Sequence, residues 1–337
     1  WQTLFFYQKI FFISLTVGIF YSIREYYRQR ELIDRYKIES SKWLREPQKT
    51  GNINLRLIRL YFFMPYQKIS AACVNFISSI RLPPVGPAIV ARFQLKYSAD
   101  LSNCQKKYIC EYDSLSDFFL REPYLKKTKN VKENLMVSPC EGQVMGCGRV
   151  DDIETFLLPN VKGNNCDLPG LLGFNSETLN KLKSAKSLYF LVIYLSPSNI
   201  HRFYSPLSFK QQNTMQISGF SSRLLSSILK TPFAETICLN HRLIVNGSTD
   251  WGNIFIIPIG ALNIGNIQMT KEAKIYSNTY EINKQNISLN EISYDQGEEI
   301  GCFMFGSTIA IIFEAPENFE FSIKLDDHLK LLQPIQK

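Results

Sequence analysis

The chain has 337 residues, with 38 Lys and Arg against 30 Asp and Glu, so its formal net charge is +8. Hydrophobic residues make up 45% and charged residues 20%, a composition that is typical of a globular protein and excludes an intrinsically disordered chain. The positive charge is spread without a long run of Lys or Arg. It therefore fits an anionic membrane surface better than nucleic acid, and no nucleic-acid partner is predicted.

Eight cysteines are present, but no two of them form a CxxC pair. The three histidines, His201, His241 and His328, stand in no ligand spacing with them, so no metal site is predicted. A chain of this length can be stabilised by burial and does not need a dense disulfide scaffold. We therefore predict that the cysteines are buried, reduced thiols.

The N-terminal segment carries a membrane signal. Residues 4–21 are mostly apolar, although Gln8 and Lys9 interrupt them, and aromatic residues at both ends suit the two interfaces of a bilayer. We predict a transmembrane anchor over residues 1–22, with a buried core helix as the alternative. The charged stretch that follows is typical of a solvated helix.

Residues 23–113 are predicted to be a helical, membrane-associated region, with helix breaks at Pro65 and at Pro83–Pro84. The apolar positions that share one face of its middle part are Ile69, Cys73, Phe76, Ile77 and Ile80. Such a face either covers the core or lies in the membrane interface.

From about residue 134 the sequence changes to short runs rich in Val, Ile, Phe and Tyr, separated by Gly, Pro, Asn and Ser. The runs are NLMVSP, GQVMGCGRV, SLYFLVIYL, ICLNHRLIV, NIFIIPIGAL and the pair GCFMF and TIAIIFE. Helices followed mainly by strands indicate an α+β fold, with N-terminal membrane-associated helices before a β-rich, mainly antiparallel core over residues 114–337.

One motif interrupts two apolar strands. In FMFGSTIAIIFE, residues 303–314, a Gly-Ser-Thr stands where hydrophobic residues are expected to continue. By itself this pattern predicts only a tight turn. No Walker loop, dinucleotide-binding glycine fingerprint or nucleophile elbow occurs, which removes the commonest nucleotide-binding and hydrolase interpretations.

Other motifs accompany it, namely LVIYLSPSNIHRFYSP (191–206), VSPCEGQVMGCG (137–148), IPIGALNIGNI (257–267) and SDFFLREP (116–123). Together they resemble the phosphatidylserine decarboxylase family, in which FGST, YLxPxxxHRFHSP, SPxDG, VGAxxVGSI and FFxRxLKxxxRP occur at similar spacing. The resemblance covers roughly residues 85–321. The helical N-terminus is similar to the mitochondrial, membrane-anchored branch, which implies the mitochondrial inner membrane.

The resemblance implies a pyruvoyl enzyme that converts phosphatidylserine to phosphatidylethanolamine. The chain would cleave itself between Gly306 and Ser307, giving fragments of 306 and 337 − 306 = 31 residues. Ser307 would become the pyruvoyl group, with Thr308 beside it in the cofactor site. That group acts as an electron sink while carbon dioxide leaves.

Three further site residues are implied, and two depart from the family pattern. His201 matches the first histidine of HRFHSP, but Tyr204 stands in place of the second, and Glu141 replaces the aspartate of SPxDG. Tyrosine is a poor base at neutral pH, because its ordinary pKa is about 10. Tyr204 therefore predicts slow or absent self-cleavage unless another base, such as His201 or His241, takes over.

These departures leave an alternative open. The chain could be a catalytically degenerate, uncleaved homologue, retained as a structural or lipid-binding subunit of a larger mitochondrial membrane complex. The intact Gly306–Ser307–Thr308 sequence and His201 favour the enzyme. The subunit is favoured by Glu141, by Tyr204 and by His241, which stands in NHRL (240–243) where the family's NERV has an acidic residue.

Overall fold

The computed structural model describes most of the chain beyond residue 72. The described residues are 73–125, 135–150, 157–185, 187–217, 219, 233–260, 267–271, 285–304 and 307–337, with scattered helical positions between 16 and 39. Among these residues, no helix has the length and apolarity required to cross a bilayer. Of the predicted anchor over residues 1–22, only Thr16 and Phe20 are described.

The elements appear in the order helices first and then mainly strands. The described helices are α1 (Val85–Tyr97), α2 (Leu115–Phe119), α3 (Leu168–Leu171), α4 (Ser176–Lys183) and α5 (Phe233–Leu239), and residues 73–78 are also helical. The described strands are β1 (Gly142–Arg149), β2 (Leu157–Val161), β3 (Asn164–Asp167), β4 (Leu188–Leu195), β5 (Arg202–Tyr204), β6 (Phe209–Ile217), β7 (Arg242–Thr249), β8 (Gly252–Gly260), β9 (Ile267–Met269), β10 (Gln285–Tyr294), β11 (Glu299–Phe303), β12 (Ser307–Glu314) and β13 (His328–Leu329).

The strands form one large and two small sheets. The eight-stranded sheet has the order β10-β6-β7-β8-β12-β4-β1-β13, the three-stranded sheet β5-β11-β9, and β2 pairs with β3. The pairings between these strands are antiparallel, which confirms the predicted β-rich, mainly antiparallel core. The predicted pair GCFMF and TIAIIFE forms β11 and β12, but these strands belong to different sheets.

The large sheet has an apolar core on each face. Because side chains alternate along a strand, β12 sends Ala310 and Ile312 into the cluster that includes residues of α3, α4 and α5. Ile309 and Ile311 join the opposite cluster, which includes residues of the three-stranded sheet. With both faces covered, β12 is an almost uninterrupted apolar run, which explains why the sequence around Gly-Ser-Thr lacks polar alternation.

The helical part before residue 114 packs differently from the core. Pro84 caps the N-terminus of α1, so the predicted break at Pro83–Pro84 is confirmed. Residues of α1 and α2 and the loops around them bury a small cluster formed by Val90, Ala99, Tyr112 and Phe118. On the preceding helix, Phe76 is 72% exposed and Ile77 47% exposed. That face therefore does not cover the core.

Two of the predicted β runs are wrong in detail. NLMVSP contributes only an isolated bridge between Val137 and Pro334 among its described residues. The run ICLNHRLIV begins inside α5, and its strand starts only at Arg242. The helix continues this far because the Asn240 amide still donates to the Thr236 carbonyl. A run of apolar residues that favour strands does not predict this helical hydrogen bond.

The cysteines are all free thiols, as predicted. Those that are buried are Cys104, Cys140, Cys166, Cys238 and Cys302, whereas Cys73 and Cys110 are exposed. The Cys166 and Cys238 sulfur atoms lie 3.5 Å apart in hydrogen-bond contact. That contact, followed by burial, raises the pKa of Cys166 well above its ordinary value, which keeps its thiol protonated.

Candidate active site

The candidate cleavage position lies where β12 begins in the middle of the large sheet. Ser307 is the first residue of β12, and its backbone pairs with Leu195 of β4 on one side and Gly260 of β8 on the other. Gly306 lies outside the described residues. The bond after it therefore precedes a strand that is held by hydrogen bonds from both neighbours.

The segment 196–201 connects the two sheets next to this position. It leaves β4 at Leu195, the partner of Ser307, and enters β5 at Arg202, the partner of Cys302 in β11. The Phe303 amide also donates to the His201 carbonyl at 2.8 Å. This segment is therefore joined to the chain at Phe303 and at Ser307.

His201 is completely buried, and one of its ring nitrogens has no partner. Nδ1 lies 2.8 Å from the Asn199 carbonyl oxygen, and since a carbonyl can only accept, Nδ1 must carry the proton. Within the described part of the chain, Nε2 has no hydrogen-bond partner. Burial lowers the pKa of His201 to about 3, against the opposing effect of the Asn199 hydrogen bond and with a further contribution from the Arg121 charge. The ring is therefore neutral at pH 7, with a free lone pair on Nε2.

Glu141 is held against the same segment. Its Oε2 accepts the Ile200 amide at 3.1 Å, so the carboxylate binds the residue directly before His201. The backbone of the preceding loop also contributes, because the Tyr204 amide donates to the Pro139 carbonyl at 2.8 Å. The structure thus brings the two motifs that contain Glu141 and His201 into direct contact.

Tyr204 is buried, but its hydroxyl is directed to a different carboxylate. It donates to Oε2 of Glu299 at 3.5 Å, while Nη1 of Arg202 binds both oxygens of Glu299 at 2.9 Å. Burial, followed by the negative charge of Glu299, raises the pKa of Tyr204. The phenol is therefore protonated at neutral pH, and its hydrogen bond goes to Glu299 instead of Glu141.

Thr308 and His241 occupy the surroundings of Ser307 in different ways. Thr308 is completely buried on the strand face that carries Ala310, and none of the residues described in the structure forms a hydrogen bond with its Oγ1. The His241 carbonyl accepts the amide of Gly260, the residue that pairs with Ser307. His241 therefore lies in the same row two strands away, at about 10 Å for a strand spacing of about 4.8 Å.

The His241 ring is also buried and neutral. Its Nε2 has no hydrogen-bond partner. Burial, together with the positive charge of Arg242, lowers the pKa of His241 to about 4. His241 is thus a second neutral imidazole, on the far side of β8 from Ser307.

Residues that the sequence analysis did not single out complete the site. Nε and Nη2 of Arg202 donate to the Leu120 carbonyl at 3.0 and 2.8 Å, and Nη2 of Arg121 donates to the Ser198 carbonyl. The Phe119 ring packs edge-on against His201, with 5.0 Å between the ring centroids. The motif SDFFLREP therefore packs against the histidine motif. The only sequence signal for this contact was that both motifs resemble those of the same family.

Comparisons with known proteins agree with this arrangement. Residues 115–336 match the family model described as phosphatidylserine decarboxylase. A mitochondrial phosphatidylserine decarboxylase proenzyme of Caenorhabditis elegans is 28% identical over 82% of this chain and 73% of its own length. The proenzyme of Bacillus subtilis is 30% identical over 68% and 76%. The mitochondrial proenzyme of Pongo abelii is 24% identical over 98% and 84%.

Proposed function

Because the chain belongs to the phosphatidylserine decarboxylase family, we propose that it is a proenzyme that cleaves itself and then decarboxylates phosphatidylserine. The cut falls between Gly306 and Ser307, and Ser307 becomes the pyruvoyl group. The product is phosphatidylethanolamine. The relatives compared above are all named as proenzymes, which favours this function over that of an uncleaved structural subunit.

The observation that carries the proposal is the strand register around the cleavage position. The Leu195–Ser307 pairing and the contact between Phe303 and His201 support the proposal that the buried imidazole of His201 acts on the bond to be cut. Self-cleavage needs attack of the Ser307 hydroxyl on the Gly306 carbonyl carbon, with transfer of the hydroxyl proton to a base. Nε2 of His201 has the free lone pair for that transfer.

The residues present fit a pyruvoyl group at position 307. The position is flanked by two neighbouring strands. Two buried polar atoms, Nε2 of His201 and Oγ1 of Thr308, have no hydrogen-bond partner among the described residues. Such atoms are normally satisfied by a ligand or by water. A pyruvoyl group supplies a ketone that accepts electrons as carbon dioxide leaves, while His201 holds or delivers a proton.

The remaining residues support His201. The Glu141 carboxylate fixes the Ile200 amide and thereby the backbone that carries the imidazole. Tyr204, bound to Glu299, takes no part in proton transfer. Because its pKa is low, His201 is a weak base, and this agrees with the expectation of slow self-cleavage.

The test is intact-mass analysis of the full chain over time after expression. We expect slow accumulation of the 306- and 31-residue fragments and release of phosphatidylethanolamine from phosphatidylserine in mixed micelles. Ser307→Ala must abolish both readouts. His201→Gln must abolish turnover, because Gln cannot exchange a proton at that site.

Three results would contradict parts of the proposal. A wild-type chain that never cleaves and never releases product contradicts the enzyme. Full turnover by His201→Gln contradicts the role of His201. A wild-type chain that produces phosphatidylethanolamine without a cut at Gly306 contradicts the pyruvoyl mechanism.

We further propose that residues 1–22 anchor the chain in the mitochondrial inner membrane, that residues 23–113 lie on that membrane, and that the core covers 114–337. Support comes from the exposed apolar side chains at Phe76 and Leu82, which are 72% and 71% exposed. Burying one such side chain in the lipid interface is worth about 1.5–3 kcal/mol. The neighbouring Arg81, also exposed, suits anionic head groups.

Flotation of a chain that lacks residues 1–22, which removes the contribution of the proposed anchor, with vesicles that contain phosphatidylserine tests this surface. Phe76→Ser with Leu82→Ser should reduce the bound fraction at least tenfold, since the two side chains together contribute more than about 1.4 kcal/mol. Tyr124→Ser is the matched control, because Tyr124 is an exposed aromatic, at 62%, outside residues 23–113. Equal binding by both variants would contradict the membrane-facing role of the segment, and release of the intact chain by alkaline carbonate would contradict the anchor.

A further inference from the structure

Arg121 is a buried cation beside the candidate active site. Its side chain belongs to the motif SDFFLREP and is almost inaccessible, at 3% exposure. Nη1 donates to the Phe118 carbonyl at 3.2 Å and Nη2 to the Ser198 carbonyl, while Nε has no hydrogen-bond partner among the residues that the structure describes. Within the described part of the chain, no carboxylate forms an ion pair with this guanidinium.

A buried guanidinium without a carboxylate partner is energetically expensive. Removing an ion from water costs several kcal/mol, and neutral carbonyls return only part of that. The Phe118 ring, 4.9 Å from the guanidinium carbon, adds a modest cation–π attraction. Neutral packing would be cheaper for the fold alone, which points to a use for the charge itself.

The target of that charge is the segment that carries His201. Ser198 lies three residues before His201, and the next residue, Asn199, supplies the carbonyl that accepts the proton of Nδ1. The guanidinium thus binds one carbonyl of a turn whose next carbonyl binds the imidazole. The Phe119 ring closes the other side of the imidazole.

We infer that Arg121 is a positioning residue for His201: its hydrogen bond to Ser198 fixes the Asn199 carbonyl on Nδ1, and its positive charge opposes protonation of Nε2. The catalytic role of His201 in this inference rests on the proposed function. The contacts of Arg121 with Ser198 and of Asn199 with His201 do not depend on that function. The outcome is a single neutral form of the imidazole, with the proton on Nδ1 and the lone pair on Nε2.

The other charged and titratable groups around this segment do not supply the same effect. The Glu141 carboxylate is bound to the Ile200 amide, and Arg202 is paired with Glu299. The Cys104 thiol lies close to Arg121, and burial raises its pKa, so it remains neutral. Arg121 also helps to lower the pKa of Asp100, after the hydrogen bonds from Ser102, but that carboxylate is exposed. The positive charge of Arg121 adds to the lowering of the His201 pKa by burial.

Nitrogen-15 NMR of the histidine-labelled full chain in detergent tests the inference without relying on turnover. The chain has only three histidines, and His201→Gln identifies the relevant signals. Wild type should show a protonated Nδ1 and a bare Nε2 for His201. Arg121→Gln should lose this fixed tautomer and raise the His201 protonation midpoint by about half a pH unit or more, because a nearby cation is removed.

Two further variants separate charge from hydrogen bonding. Arg121→Lys keeps the charge and should retain the midpoint, although an ammonium group on a flexible stem lacks the rigid, planar fork of the guanidinium and should loosen the tautomer. Lys324→Gln removes an exposed positive charge and should change neither property. If Arg121→Gln does not fold, the comparison of wild type with Arg121→Lys still decides, because the two predicted effects on tautomer and midpoint differ.

In turnover assays, the acid limb of the rate profile should move to higher pH in Arg121→Gln but not in Arg121→Lys. A folded Arg121→Gln protein with the wild-type tautomer and midpoint would overturn the inference, and so would a Lys variant indistinguishable from the Gln variant in its midpoint. A wild type that shows the expected tautomer but never releases product would contradict only the proposed function.

Discussion

Tyr204→Phe distinguishes two candidate bases for self-cleavage, the phenol of Tyr204 and the imidazole of His201. The substitution removes only the phenolic hydroxyl, whose single hydrogen bond, to Glu299, is long at 3.5 Å. Glu299 keeps both 2.9 Å bonds from Arg202, so no buried charge is left unpaired. A net hydrogen bond contributes about 0.5–1.5 kcal/mol, and this one belongs at the low end.

We therefore expect Tyr204→Phe to lower the free energy of unfolding by less than about 1 kcal/mol and to change the rate of self-cleavage by less than about fivefold. Loss of a true general base would slow the reaction by about 10²–10⁴-fold, so the two outcomes do not overlap. The assay follows the cut after Gly306 by intact mass, with urea unfolding of the Ser307→Ala variant as the stability reference. A folded Tyr204→Phe protein that cleaves itself more than tenfold more slowly than the wild type would refute the proposal that Tyr204 takes no part in proton transfer.

Three other predictions follow from the same structure. The paired change Glu141→Asp and Tyr204→His restores the family pattern and should speed self-cleavage on denaturing gels; an unchanged rate would show that the turn is not aligned for it. Arg242→Met should lower the free energy of unfolding by at least about 3 kcal/mol, because Arg242 is buried and donates to four backbone carbonyls; exposed Arg92→Met, the control, should stay within about 0.5 kcal/mol. Stability should fall as the pH drops from about 6.5 toward 5, because the two buried imidazoles protonate only when the chain unfolds, and His241→Gln should flatten this dependence. A urea midpoint that is constant from pH 7.5 to 5 would contradict their neutral, buried state.

Local patterns predicted the core of this protein well. Runs of β-branched and aromatic residues became β4, β8 and β12, because both faces of the large sheet are buried and each strand is apolar throughout. The same rule failed for ICLNHRLIV, where a strand-like composition forms the end of α5. Short apolar runs fit a buried helix and a buried strand equally well, so tertiary packing decides between them.

The candidate site was predictable only in part. His201 and Glu141 were found by motif, and the structure brings their motifs together. The Tyr204–Glu299 contact was not foreseen, since the two residues are 95 positions apart and pair across strands of a small sheet. The burial of Arg121 could not be predicted either, because a single arginine among other charged residues of a motif is usually exposed. Its importance follows from what surrounds it and not from its position in the sequence.

The position of β12 has a consequence for the protein after a cut at Gly306. The 31-residue fragment would contain β12, a central strand with neighbours on both sides, and also β13, which pairs with β1 at the sheet edge. Neither piece could retain the large sheet alone, so the processed protein would behave as an obligate two-chain complex. Its thermal midpoint would depend on protein concentration, as for a dissociating dimer, whereas that of the uncut chain would not. Once heated apart, the pieces would have to find each other by diffusion, and exposed strand edges would favour aggregation. Processing would thus convert an equilibrium fold into one that persists mainly because it separates slowly.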